Sequence, residues 1–206
     1  MLQEKLAPYR LILASSSPRR HYLMKEAGFE FEIRVISDIP EEFPLSMPSS
    51  DVAVYLAEMK ANSFDGRLQK QEIVITADTV VILDGKVLGK PAGYFEAFDM
   101  LSSLSGRKHE VITGVCIKSE NRQSAFSVSS LVWFRKLTEK EIHYYITEYS
   151  PFDKAGSYGV QEWIGYIGVE RIEGSFFNVM GLPIQNVYVE LEKFIDNLNA
   201  LPHVPE

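Results

Sequence analysis

The sequence predicts an α/β fold built on a mixed β-sheet, and three observations carry this prediction. Segments rich in β-branched residues recur between segments of helical periodicity along the chain, which is typical of α/β proteins. The dipeptide Asp84-Gly85 predicts a two-residue hairpin, and hairpins join antiparallel strands. Two long apolar segments at 110–117 and 124–134 flank a short polar turn, so they predict a second antiparallel pair. The sheet is therefore expected to be mixed rather than purely parallel.

The first strand and helix are predicted from the segment LILASSSPRR. Its apolar start predicts a strand over 10–14, and a helix is expected over 18–27 with Ser17 as N-cap and Pro18 as first residue. Backbone N–H groups, hydroxyls and two guanidiniums then meet at one point, which favours an anion site, best suited to phosphate. An ordinary capped helix with two solvated arginines explains the same residues.

The middle of the chain alternates between loops marked by proline and segments rich in β-forming residues. Phe31, Ile33 and Val35 alternate as in a short strand, and three prolines predict a loop over 38–48. Ser49 or Ser50 is expected to cap a helix that runs to about residue 64. The next β-rich run covers 73–77, ends on Asp78 and Thr79, and continues over 80–83; a return strand over 86–88 and a helix over 94–104 follow.

The last third of the chain predicts two more helices and one more strand. Thr138 and Glu141 form a capping-box pattern, so a helix is expected from 138 to 149. Residues 153–162 are polar and punctuated by glycine, 165–172 predict a strand, and 174–183 predict an irregular return. Helical spacing from Ile184 onward predicts a final helix, followed by a loose tail over 200–206.

Composition excludes several classes of function. The chain has 206 residues and a formal net charge of −7, which argues against nucleic acid as a partner because such binding needs a basic face. One cysteine, Cys116, excludes an internal disulfide. The N-terminus lacks an apolar signal core and no apolar run is long enough to cross a bilayer. We therefore expect a cytoplasmic protein without a membrane partner.

A few polar residues stand out as candidates for chemistry. Asp78 follows a buried strand, where a carboxylate can hold a metal or take a proton from water, although aspartate is also common as a cap or turn residue. Glu41 and Glu42 are solvated by default and become relevant only if their loop folds over Asp78. Lys60 and Lys90 suit phosphate binding, although solvated surface lysines are commoner.

Other familiar sites are missing from the sequence. The four histidines show no zinc-ligand spacing, and neither a Walker A motif nor a G-x-S-x-G elbow is present. Cys116 is expected in the core, and Trp133 and Trp163 are expected to pack rather than to stack on a base. A helix start with two arginines, two lysines and two carboxylates therefore indicates a polyphosphate site and predicts metal-assisted hydrolysis of a phosphate ester or anhydride.

In their order along the chain, eight segments resemble the Maf family of nucleoside triphosphate pyrophosphatases. They are LASSSPRR at 13–20, D-I-x-E at 38–41, A-x-x-K-A at 57–61, ADTVV at 77–81, GKP at 89–91, SGRKHEVITGV at 105–115, DKAGSYGVQ at 153–161 and GSFFNVMGLP at 174–183. The resemblance covers residues 11 to about 191. Glu162 and Met180 depart from the family pattern.

The resemblance implies a fold and an activity. The fold is an extended, twisted mixed sheet flanked by helices, forming one Maf-like domain over residues 1–206 with two lobes and a central cleft, related to the inosine triphosphate pyrophosphatases. The activity is hydrolysis of a nucleoside triphosphate to the monophosphate and pyrophosphate with a divalent metal cation, Mg²⁺ or Mn²⁺. The family also implies a homodimer.

The resemblance further implies roles for individual residues. Asp78 is the general base and, with Glu41, a metal ligand; the D-I-x-E frame favours Glu41 over Glu42. The residues expected to hold the triphosphate are Ser15, Ser17, Arg20, Lys60 and Lys90.

The subgroup that hydrolyses dTTP and UTP is implied by three residues. Arg19 stands where the 7-methyl-GTP subgroup has tryptophan, and Thr79 and Gln161 also match the dTTP/UTP pattern. These three residues are therefore assigned to selection of the base. Two alternatives stay open: a nucleotide-binding regulator of cell division that needs no turnover, and a pyrophosphatase for another nucleotide such as 7-methyl-GTP.

Overall fold

The computed structural model describes residues 1–37 and 39–200. Within these residues the chain forms one mixed sheet and eight α-helices. The strands are β1 (Arg10–Leu13), β2 (Glu32–Ile33), β3 (Glu72–Leu83), β4 (Lys86–Leu88), β5 (Lys108–Lys118), β6 (Gln123–Phe134) and β7 (Val169–Glu173). The helices are α1 (Leu2–Leu6), α2 (Pro18–Glu26), α3 (Ser49–Asn62), α4 (Tyr94–Leu104), α5 (Glu139–Tyr149), α6 (Trp163–Gly168), α7 (Phe176–Met180) and α8 (Ile184–Asn199).

The order of the strands confirms the α/β prediction with a mixed sheet. The sheet runs β2-β1-β3-β5-β6-β7, and β4 pairs with the far part of β3. Strand β1 is parallel to β2 and β3, whereas the pairs from β3 onward are antiparallel. The Asp84-Gly85 hairpin is confirmed, since both residues have the positive φ angles, 51° and 77°, that a type I′ turn requires.

Helices cover both faces of the sheet. The larger apolar cluster packs α4, α5 and α8 against one face, and α3 packs against the other. Cys116 is fully buried beneath α3, and burial raises the pKa of its thiol to about 12, which confirms that it belongs to the core.

Strand β3 differs from its prediction in a way that matters for the site. Asp78 and Thr79 lie inside one continuous twelve-residue strand rather than at a strand end, because both stay paired with β5. Since side chains alternate along a strand, the two point to opposite faces. Asp78 shares the α3 face with Val80, and Thr79 shares the opposite face with Val81.

Several other elements differ from the sequence predictions. Residues 165–168 belong to helix α6 instead of a strand, and part of the return expected to be irregular forms α7. Strand β2 has only two residues, and helix α1 was not predicted. These elements are short, and a short run carries too few periodic positions to separate helix from strand.

The helix caps are partly as predicted. Thr138 and Glu141 form the expected capping box on α5. Ser17 is the N-cap of α2 by position, but its side chain makes no capping hydrogen bond, and α3 begins after Pro48 rather than after a serine cap. In the described residues no helix is both long and apolar enough to cross a membrane. Of the predicted tail over 200–206, residues 201–206 lie outside the described residues.

A buried histidine in β5 makes stability depend on pH. His109 is 2% exposed, its Nε2 contacts the hydroxyl of Tyr158 at 2.7 Å, and its Nδ1 has no partner among the described residues. Burial lowers the pKa of His109 from 6.5 to about 4, because the low-dielectric interior disfavours the imidazolium.

We expect the protein to lose about 3 kcal/mol of unfolding free energy as pH falls from about 6.5 to 4, because there the unfolded chain binds a proton at His109 that the folded chain does not. Urea unfolding at several pH values across this range gives the slope of the unfolding free energy against pH. In the His109→Gln variant this slope should fall by the equivalent of about one bound proton. An unchanged slope would contradict the assignment of the pH dependence to His109.

Candidate active site

A cavity of about 820 Å³ opens beside the middle of β3. Its wall is formed by the start of α2, the 39–43 part of the proline-rich loop, α3, the GKP segment, the 153–161 segment and the end of α7. Every residue to which the sequence assigned a role lines it: Ser15, Ser17, Arg19, Arg20, Glu41, Lys60, Asp78, Thr79, Lys90 and Gln161. The local patterns that predicted these residues separately therefore meet at one place.

Two carboxylates and a lysine form the centre of the cavity. Lys60 Nζ lies 2.5 Å from Asp78 Oδ1 and 2.8 Å from Glu41 Oε1. Lys60 and Asp78 are largely buried, with side chains 16% and 13% exposed. The proline-rich loop thus folds over Asp78, which is the condition that made Glu41 relevant.

The position of Glu41 separates it from its neighbour. Its second oxygen, Oε2, lies 2.9 Å from Lys90 Nζ, whereas Glu42 does not line the cavity. Partial burial raises the pKa of Glu41, but hydrogen bonds and charge from Lys60 and Lys90 outweigh burial and lower it to about 2. Glu41 is therefore ionised near neutral pH. Asp38, the first residue of the D-I-x-E motif, lies outside the described residues.

Arg20 is held in place by the protein itself. Its Nε donates to the carbonyl of Gly181 at 2.8 Å, and its Nη1 donates to the carbonyl of Ala77 at 2.8 Å. Further hydrogen bonds reach Ser15 Oγ and Thr79 Oγ1. Four of the five guanidinium N–H donors are thus occupied within the described residues. Arg20 links α2, β3 and the end of α7, and it places a fixed positive charge at the cavity wall.

The serines of the first motif differ in their exposure. Ser15 is buried, and its Oγ accepts from the backbone N–H of Ser17 at 3.2 Å as well as from Arg20. Its carbonyl contacts His21 Nε2 at 2.5 Å. Ser17 is more exposed and precedes the first turn of α2, whose backbone N–H groups lack partners within the helix. This corner of the cavity is therefore suited to an anion.

The three residues assigned to base selection also line the cavity. Two of them adjoin Arg20, since Arg19 precedes it on α2 and Thr79 accepts a hydrogen bond from it. Arg19 forms an ion pair with Asp153 at 3.4 Å, and Thr79 Oγ1 contacts Thr113 Oγ1 at 2.9 Å. Gln161 is half-buried, and its Oε1 is a buried acceptor that has no partner among the described residues. A buried amide oxygen without a partner is costly, and Gln161 lies on the cavity wall.

Neither tryptophan lines the cavity. Trp133 lies under the guanidinium of Arg171 at 4.6 Å from the ring centroid, and Trp163 packs edge-on against Tyr144. Both contacts agree with packing roles, so base stacking on a tryptophan finds no support in this cavity.

Sequence reasoning missed several residues that support the wall. Asn178 is fully buried, and its side-chain Nδ2 donates to Val111 O and Ser130 Oγ. Its backbone carbonyl accepts from the hydroxyl of Thr113. It fixes α7 under the sheet just before Gly181, the acceptor for Arg20. Its motif was noticed, but partners distant in the sequence cannot be read from a local pattern.

The arrangement combines a partly buried carboxylate, clustered cations and a helix start. The cations Arg19, Arg20, Lys60, Lys90 and Lys154 gather on this wall although the chain is acidic overall. Such a surface concentrates an anionic ligand, and a carboxylate beside it can accept a proton from water. The cavity can therefore bind a polyphosphate and assist its hydrolysis.

Comparison with known proteins agrees with this chemistry. A dTTP/UTP pyrophosphatase of Parabacteroides distasonis is 51% identical over 191 residues, covering 93% of this chain and 99% of the relative. The dTTP/UTP pyrophosphatase of Bacteroides thetaiotaomicron is 50% identical, covering 91% and 97%, and that of Porphyromonas gingivalis W83 is 50% identical, covering 93% and 97%.

One solved structure, described as that of a HAM1 protein from Coxiella burnetii, matches with a TM-score of 0.41 and 13% identity, covering 94% of this chain and all of that one. At this level the match carries no weight. The family comparison is decisive, because the family described as Maf-like protein matches residues 10–194. The chain belongs to the Maf family.

Proposed function

We propose that this protein hydrolyses dTTP and UTP to the nucleoside monophosphate and pyrophosphate. The observation that carries the proposal is the joint placement of Asp78, Glu41 and Lys60 in a cavity that Gln161 also lines. The names of relatives about half identical over nearly the whole chain support the same substrates.

In the proposed mechanism Asp78 takes a proton from the water that attacks the α-phosphorus, and pyrophosphate leaves. Lys60 and Lys90 neutralise charge on the triphosphate, and Arg20 adds a fixed positive charge. Ser15, Ser17 and the start of α2 donate to phosphate oxygens. The ion pairs of Lys60 with both carboxylates keep the base and the clamp close together before substrate arrives.

The residues present fit a divalent cation. Carboxylate oxygens are ligands that Mg²⁺ and Mn²⁺ prefer, and Mg²⁺ is commonly held by one or two carboxylates together with substrate phosphates and water. Glu41 and Asp78 converge on one ammonium group, and in the described residues no third His, Cys, Asp or Glu joins them. Glu41 and Asp78 would hold the cation, which when bound would lower the pKa of water and offset phosphate charge.

Base selection is proposed for Arg19, Thr79 and Gln161. The edge of thymine or uracil offers a ring N–H between two carbonyl oxygens. A glutamine amide can accept from that N–H and donate to a carbonyl, which would satisfy the unpartnered Oε1 of Gln161. Sites that hydrogen-bond their substrate in this way reject analogues that cannot make the bonds.

We infer one Maf-like domain whose cavity lies between two lobes, a homodimer, and a cytoplasmic protein whose partner is a nucleotide rather than nucleic acid or a membrane. Light scattering measures the oligomeric state directly.

The test is a panel of nucleoside triphosphates assayed for pyrophosphate release with Mg²⁺ or Mn²⁺. We expect dTTP and UTP to be turned over best, with 7-methyl-GTP and ITP behind them. Preferential turnover of 7-methyl-GTP would overturn the base assignment. Binding of nucleotides without turnover with either metal would overturn the enzyme assignment.

Replacing Glu41 by Gln is expected to raise the half-saturating metal concentration by about tenfold, because it removes one anionic ligand while preserving the shape of the side chain. The measurement is a titration of dTTP hydrolysis with Mg²⁺ at saturating dTTP. Glu42→Gln is the matched control, because the neighbouring glutamate does not line the cavity. A shift in the control instead of in Glu41→Gln would reverse the assignment.

A further inference from the structure

The turn that carries Gln161 is anchored from behind by a hydroxyl and a carboxylate. The phenolic oxygen of Tyr145, on α5, accepts from the backbone N–H of Gly159 at 3.0 Å. The same hydroxyl donates to Glu162 Oε2. Burial, followed by the hydrogen bond and charge of Glu162, raises the pKa of Tyr145, so the proton stays on the phenol and the donor direction is fixed.

Glu162 directs its carboxylate toward this anchor instead of capping a helix. It occupies the N-cap position of α6, yet its side chain makes no capping hydrogen bond. Its Oε1 pairs with Lys154 Nζ at 3.1 Å. Lys154 is only 8% exposed and also pairs with Asp153, which in turn pairs with Arg19. Charges of alternating sign thus run from the cavity wall to the back of the turn.

The carboxylate and the Gln161 amide meet at Gly159. A Cβ at Gly159 would lie 2.8 Å from Glu162 Cδ and 3.0 Å from Gln161 Nε2, so both side chains pack onto the bare α-carbon. The Gln161 amide therefore rests against a backbone position that Tyr145 holds through the Gly159 N–H and that Glu162 flanks. Gly159 also lines the cavity.

We propose that Tyr145 and Glu162 are positioning residues that hold the Gln161 amide at the cavity wall and thereby contribute to the choice of nucleotide base. The inference rests on the proposed function, because it assumes that Gln161 reads the base. Neither residue contacts the cavity centre, so the proposal assigns them an effect on base discrimination and none on the hydrolytic step.

The test compares dTTP with dGTP, which share the sugar and triphosphate and differ only in the base. For Tyr145→Phe we expect kcat/KM for dTTP to fall about tenfold, mainly through KM, and kcat/KM for dGTP to change less than about twofold. Glu162→Ala should act similarly, and Glu162→Gln, which keeps an acceptor for Tyr145, should recover most of the discrimination.

Matched controls are available on α5. Tyr144→Phe changes an exposed tyrosine next to Tyr145, and Glu148→Gln changes an exposed glutamate on the same helix as Tyr145. Both variants should leave the ratio of kcat/KM for dTTP to that for dGTP unchanged. All assays are run under conditions in which circular dichroism shows each variant to be folded. A Tyr145→Phe variant that loses thermal stability but keeps the wild-type ratio would overturn the proposal and leave a purely structural role.

The outcome separates this inference from the proposed function. If the wild-type protein turns over neither nucleotide, the proposed function fails. The inference is then decided by calorimetry, from the ratio of the affinities for dTTP and dGTP in the wild type and in the variants. If the wild type prefers dTTP and the Tyr145 and Glu162 variants keep that preference, only the inference fails.

Discussion

Asp78→Asn is expected to lower kcat for pyrophosphate release from dTTP by about a thousandfold, because it removes the group proposed to accept the proton of the attacking water. With Mg²⁺ kept saturating, the affinity for dTTP should change by less than about threefold, since Asp78 is proposed to contact the attacking water and the metal rather than the nucleobase or the sugar. Quenched-flow or coupled assays give kcat, and calorimetry gives the affinity.

The structural reason for an effect of this size is the environment of Asp78. Its carboxylate is mostly buried and lies 2.5 Å from Lys60 Nζ. An asparagine amide would fill the same space but could neither accept a proton nor offset the charge of Lys60. In the described residues Glu41 is the other carboxylate on Lys60, and Lys60 and Lys90 lower its pKa to about 2, so it would be a poor replacement base near neutral pH.

Asp84→Asn is the matched control for this substitution. Asp84 occupies the hairpin turn that directly follows β3, and its side chain is 67% exposed. Asparagine is well suited to a type I′ turn, so the control should retain wild-type kcat. A comparable loss in Asp84→Asn, or retention of activity in Asp78→Asn, would show that proton transfer at Asp78 is not the source of the effect.

The residue types of the site were predictable, whereas the way in which they meet was only partly so. The ADTVV segment drew attention to Asp78 and Thr79, but the apparent end of the strand there was wrong. Alternation along a continuous β3 places Asp78 beside Lys60 and Thr79 beside Arg20. Adjacent residues therefore face two different groups of side chains in the cavity, which strand periodicity could have indicated.

Arg20 shows why the remainder could not be predicted. Its backbone partners are Ala77 and Gly181, which lie 57 and 161 positions away in the sequence. No local pattern encodes such partners, so a solvated arginine and a half-buried arginine with four hydrogen bonds have the same sequence signature. Tyr145 is a second case, because no local pattern indicates that its hydroxyl accepts from the backbone N–H of Gly159.

Gly114→Ala is expected to destabilise the protein by about 4 kcal/mol, because it places a side chain where the helix backbone already lies. A Cβ at Gly114 would come within 2.3 Å of the Ala53 carbonyl and the Val54 nitrogen of α3. For a protein of this size the expected loss corresponds to about 10 °C in Tm. Urea unfolding followed by circular dichroism measures it.

Gly93→Ala serves as the control, since a Cβ there meets nothing within 4 Å and the backbone is extended. The stability of this variant should stay within about 0.5 kcal/mol of wild type.

The close approach at Gly114 is continued by the fully buried Ala57 and Ala61, whose small side chains let α3 lie close to the sheet. Gly114 pairs with Asp78 across β3 and β5, and α3 carries Lys60. Lifting α3 would therefore also separate Lys60 from Asp78, and the folded fraction of Gly114→Ala should lose activity. Wild-type activity per folded molecule would instead show that the height of α3 above the sheet does not set the contact between Lys60 and Asp78.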